Sequence, residues 1–141
     1  MLKRIIYLIL LLVIFSCEKN NNKPNIVFIL ADDLGYGDLS SYGSETIETT
    51  NIDKLAEDGV KLKSYYAAQP VCSASRAAIL TGAYANRIGI YNAFGPTSDS
   101  GINSNEYTLA EMLKDNGYET GIFGKWHLGS KKEFFPTNHG F

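Results

Sequence analysis

PNIVFILADDLGYGDL, residues 24–39, sets a run of β-branched and aromatic side chains directly against two aspartates and two glycines. A continuous apolar run over 25–30 predicts a strand buried on both faces, the pattern of a parallel sheet. The run stops abruptly, so Asp32 and Asp33 fall just past the strand's carboxyl end, where open α/β sheets place their ligands.

Downstream the pattern alternates. TTNIDKLAEDG, residues 49–59, puts Ile52, Leu55 and Ala56 at helical spacing, with Thr50 and Asp53 as a capping box and Gly59 as the stop. TLAEMLKDNG, residues 108–117, repeats the design: Thr108 caps, Glu111 follows three residues on, and Gly117 ends it. VKLKSYY (60–66) and YETGIFG (118–124) predict further strands. The expected fold class is therefore α/β, a largely parallel sheet flanked by helices.

Upstream, Lys3 and Arg4 precede an apolar run ending at Phe15, too short for a comfortable membrane span and patterned as an export signal. Ser16-Cys17 resembles a lipoprotein processing site. Residues 1–17 are expected to be a lipoprotein signal peptide with Cys17 as the lipidated residue, and 18–24 a polar tether. The catalytic-domain portion is expected over 25–141. This predicts an exported protein, periplasmic or on the outer membrane of a Gram-negative bacterium, held by its lipid anchor. With 45% hydrophobic and 20% charged residues and a net charge of −2, nothing in the composition points to disorder or to a nucleic-acid partner.

Three groups carry chemistry. Adjacent Asp32 and Asp33 repel unless a cation compensates, and their hard oxygens suit calcium or magnesium, with Gly35 and Gly37 letting the backbone turn tightly around such a site, although Asp-Asp before glycine is also an ordinary loop sequence. VCSASRAAILTG, residues 71–82, opens a helix at Cys72 and places Arg76 one turn further on. An oxyanion there would meet a cation and free helix amides, while a cysteine packed like alanine fits the same stretch. In GKWHLG, Lys125 and His127 stand two apart. In an extended segment they would share one side, offering a cation and a proton acceptor, and a surface lysine and a structural histidine flanking a core tryptophan would look the same.

Taken together these motifs resemble the N-terminal part of the type I sulfatases, on the alkaline-phosphatase-like α/β fold. PNIVFILADDLGYGDLSSYG is similar to the family's opening strand and metal loop, CSASRAAILTG to its modification signature and GYETGIFGKWHLG to its second signature. The resemblance implies that Cys72 is oxidised to formylglycine (3-oxoalanine), whose hydrated diol attacks sulfur and later expels sulfate. It implies that Asp32, Asp33 and residue 72 hold Ca2+, that Arg76 supports the diol, that Lys125 neutralises sulfate charge and that His127 accepts the proton driving elimination. The implied substrate is a sulfated small molecule or glycan. Alanine at 74, where many members carry proline, implies a radical-type maturation enzyme as partner. Thr50 stands where proline is common, and a threonine cap would serve the same helix start. Two alternatives remain at this point: a phosphodiesterase or phosphonate hydrolase of the same superfamily, and a noncatalytic lipoprotein binding sulfated glycans. Family members are several times longer, so the chain is expected to be an N-terminal fragment, inactive by itself.

Overall fold

The computed structural model describes residues 23–141 and divides into two units, Met1–Ala31 and Asp32–Phe141. The expected export segment and Cys17 lie outside the described residues. Among those described, no helix is long and apolar enough to cross a membrane. Of the first unit, residues 23–31 adopt no regular secondary structure. Val27 and Ile29 there are 83% and 82% exposed.

The second unit carries three α-helices among its described residues: α1 (Thr50–Asp58), α2 (Cys72–Thr81) and α3 (Leu109–Asp115). Short 3-10 turns join them, including Tyr36–Asp38 and Ser40–Tyr42 ahead of α1. The described residues contain no β-strand. The predicted strands at 25–30, 60–66 and 118–124 are thus not seen as strands, and the parallel sheet is not part of the described structure. Strand propensity needs a second backbone in hydrogen-bonding register. No such ladder is present, and Val60, Tyr66 and Phe123 stand 84%, 83% and 98% exposed.

The core is small and centres on α2. Ala74 and Ala77 face inward against Ala85, Ile90, Ile102 and Leu128, with Val71, Leu80, Ile88, Phe94 and Trp126 packed around them. Alanine on the buried face lets neighbouring backbone approach closely. Gly82 at φ 66 closes α2 in the left-handed conformation that glycine adopts freely, its N–H returning to the Ala78 carbonyl. Ala74 is the third residue of α2, inside the first turn, whose amides lack intrahelical acceptors, so proline and alanine both fit there.

The two predicted capping boxes fare differently. α1 begins one residue earlier in its capping than expected: Thr49, not Thr50, is the N-cap. Asp53 ties this start to the preceding turn, accepting from Thr49 Oγ1 at 2.8 Å and from the Ser41 N–H at 2.8 Å. The Ser40 hydroxyl also donates to it, at 2.5 Å. These bonds hold the Asp53 carboxyl below the usual aspartate range, the one from Ser40 most. At α3 the expected box is present. Thr108 Oγ1 accepts from the Glu111 N–H at 3.2 Å and Glu111 Oε2 accepts from the Thr108 N–H at 2.8 Å.

Thr108 is buried and its hydroxyl also reaches the His139 carbonyl at 2.9 Å, joining α3 to the last described residues. His139 packs 6.0 Å from Trp126, and burial lowers its pKa. Gly140 passes so close to α3 that a Cβ there would lie 2.4 Å from the Glu111 nitrogen. Thr108→Ala is therefore expected to remove the cap and the cross-link together, lowering stability by about 1–2 kcal/mol. Chemical denaturation should show a lower midpoint with an unchanged slope.

Candidate functional site

Three separate segments meet at Asp32. Arg76 Nη2, from the second turn of α2, donates to Asp32 Oδ1 at 2.8 Å, and Lys125 Nζ donates to Oδ2 at 2.8 Å. The two cations are also joined, since Arg76 Nη1 donates to the Lys125 carbonyl at 2.6 Å. Arg76 is the most enclosed of the three, its side chain only 12% exposed. The Asp32 carboxyl is held below its usual range, by the Lys125 hydrogen bond first and the Arg76 bond second. Lys125 is correspondingly raised, chiefly by Asp32, with Cys72 acting in the same direction against desolvation.

Asp33 sits beside this cluster in a left-handed backbone conformation, φ 59. The tight turn expected at Gly35 and Gly37 is present as the 3-10 turn Tyr36–Asp38, while the left-handed backbone falls on Asp33. Gly35 is extended, its N–H held by Asp38 Oδ2 at 2.7 Å. A ligand atom of Asp33 lies within 4.8 Å of those of Asp32 and Cys72. Cys72 is a free, half-buried thiol at the first position of α2.

Two carboxylates and a third donor at this spacing suit a hard cation such as calcium, provided the third atom is oxygen rather than sulfur. Both Asp32 oxygens already accept from cations, yet each retains a second lone pair. The two carboxylates would supply part of a calcium shell if residue 72 carried an oxygen.

His127 is placed differently. It too has a left-handed backbone, φ 58, and it and Asp33 are the two non-glycine residues with positive φ among those described. Such conformations persist where the surroundings enforce them and cluster at functional sites. Lys125 reaches Asp32 while the His127 ring turns to the Phe94 carbonyl, with Nε2 2.8 Å from that oxygen. The expected extended segment with both side chains on one side is replaced by a kinked one. A carbonyl only accepts, so this hydrogen bond assigns a proton to Nε2 and, in the neutral ring, leaves Nδ1 as the acceptor.

Most buried polar atoms find partners. Among the described residues the exceptions include Arg76 Nε and His127 Nδ1, a donor and an acceptor on two of the residues singled out from sequence. A cavity of about 360 Å³ adjoins His127, lined by Phe94, Gly95, Pro96, Gly129 and Ser130. Sequence patterns did not point to Phe94, because it acts through its peptide group, which carries no side-chain signature.

Comparison with known proteins identifies the family. The family model for Sulfatase matches residues 24–141. Human arylsulfatase G is 47% identical over 126 residues, covering 89% of this chain and 24% of that protein. Human steryl-sulfatase is 45% identical over 146 residues, covering 93% and 25%. The crystal structure of Ps i-CgsB superposes with a TM-score of 0.81 at 42% identity, over 84% of this chain and 27% of that one. The chain thus spans about a quarter of the length of these relatives. With a family model covering all but its first residues, the chain belongs to the sulfatase family.

Proposed function

We propose that the protein hydrolyses sulfate esters at residue 72, after conversion of Cys72 to formylglycine by a maturation enzyme of the radical type. The observation that carries this reading is the meeting of Asp32, Asp33, Cys72, Arg76 and Lys125, drawn from segments far apart in the chain. Calcium held by Asp32, Asp33 and residue 72 would supply a Lewis acid for a sulfate oxygen, and formylglycine would supply the nucleophilic oxygen.

The chain's own groups do the rest. Lys125 and Arg76 present positive charge where a sulfate would approach residue 72. Free amides of the first turn of α2 add to this field. His127 offers Nδ1 as the proton acceptor, its tautomer set by the Phe94 carbonyl. The apolar lining of the adjacent cavity suits an organic leaving group. Ps i-CgsB has also been solved with k-i-k-neocarrahexaose, which favours a sulfated glycan as one substrate class to test here.

In the intact, matured protein, peptide mass spectrometry should find an aldehyde in place of the thiol at residue 72, and an aryl sulfate should release sulfate. Cys72→Ala should abolish release. Phosphate release from the matched aryl phosphate at an equal or greater rate would instead identify a phosphoesterase.

The ionic cluster sets a pH dependence. Asp32 has a depressed folded pKa, so its contribution is present above the unfolded value of about 3.9 and is lost as pH falls through the folded one. Lys125 has a raised folded pKa, so its contribution is full below about 10.4 and is lost as pH rises through the folded value. The melting-temperature difference between wild type and Asp32→Asn in calcium-free buffer should be flat through neutral pH and shrink at both extremes. A difference that changes across the neutral range would contradict the cluster.

We place the protein in the cell envelope, anchored through a lipid on Cys17, on the strength of the sequence around Ser16. Cys17→Ala should shift it from the detergent phase to the aqueous phase in phase partitioning. Unchanged partitioning would remove the anchor.

A further inference from the structure

We propose that Ser73 is a positioning residue that fixes the His127 ring through the peptide group of Phe94, an inference that rests on the role given to His127 above. Ser73 follows residue 72 directly and is fully buried in the first turn of α2. A serine there would ordinarily be expected to serve the helix end, yet α2 has no side-chain cap. Its Oγ instead accepts the Phe94 N–H at 3.0 Å. The Phe94 carbonyl in turn accepts from His127 Nε2 at 2.8 Å. Both polar groups of one residue are thereby used to connect α2 to the imidazole.

The segment around His127 is clamped on either side of it. Trp126 Nε1 donates to the Phe134 carbonyl at 2.8 Å, and the Leu128 carbonyl accepts the Ile102 N–H at 2.9 Å. These bonds restrain the segment without touching the imidazole ring itself. The Phe94 carbonyl is the hydrogen-bond partner of that ring, and it decides which nitrogen bears the proton. If Phe94 shifts, the tautomer is no longer set and Nδ1 ceases to be a dedicated acceptor. A buried serine serving only as a filler predicts none of this, because alanine would fill the space equally well.

The test combines ring nitrogen-15 NMR of the histidine-labelled intact protein with kinetics, His127→Gln identifying the ring signals. At a pH where the ring is neutral, wild type should carry the His127 proton on Nε2, and a dominant Nδ1–H form would overturn the proposal. Ser73→Ala should turn the His127 signals into a tautomer mixture and lower kcat, per formylglycine formed, by about tenfold with KM little changed. Ser73→Thr, which keeps an acceptor oxygen, should restore both. Unaltered ring signals in Ser73→Ala would overturn the proposal whatever the rate. Should that variant not fold, Ser73→Cys, with a weaker acceptor of similar size, should give an intermediate mixture, and a wild-type spectrum there would count against it. Because the NMR readout needs no turnover, a wild type that cleaves no sulfate ester would refute the proposed function while still deciding the part played by Ser73.

Discussion

The arrangement of the site depends on one carboxylate held by two cations. Asp32 lies 44 residues from Arg76 and 93 from Lys125 along the chain, and its two oxygens bring their charges together. The pairs with Asp32 are substantially exposed on the carboxylate side, so they add little to stability. Their effect is positional. The bond from Arg76 to the Lys125 carbonyl fixes one cation relative to the other, so the carboxylate meets a pair already in register.

Around this pivot two kinds of restraint operate. The first is steric: the alanine face of α2 packs against Ile102 and Leu128 and so fixes the approach of the segment carrying Lys125 and His127. The second is polar and local. Ser40, Ser41 and Thr49 gather on Asp53 and set the start of α1, while Thr108 and Glu111 do the same for α3. Separating large-scale placement from local capping explains how a modest core can still hold several charged side chains at hydrogen-bonding distance.

Much of this was legible in the sequence, because caps and charged residues leave marks at fixed offsets. Thr108 and Glu111 announce α3, and Cys72 to Arg76 marks the start of α2. The shift from Thr50 to Thr49 at α1 was not legible, since two adjacent threonines offer the same hydroxyl and the choice falls to Ser40 nine residues away. The strands are not seen among the described residues, for a different reason. Residues 25–30 have every local mark of a buried strand, but a ladder is a property of two segments, and among the described residues no second one pairs. The left-handed backbone at Asp33 was not legible, because that conformation ordinarily marks glycine. The involvement of Phe94 had no side-chain signal at all.

The left-handed backbone at Asp33 also bears on how this position can drift. Single-base changes of an aspartate codon lead to asparagine and glycine, which enter that conformation readily, and equally to valine, whose branched side chain resists it. Genetic code and backbone geometry therefore sort the available changes before any effect on charge is felt. A lineage losing the carboxylate would pass first through asparagine or glycine, keeping the shape of the loop after its chemistry had gone.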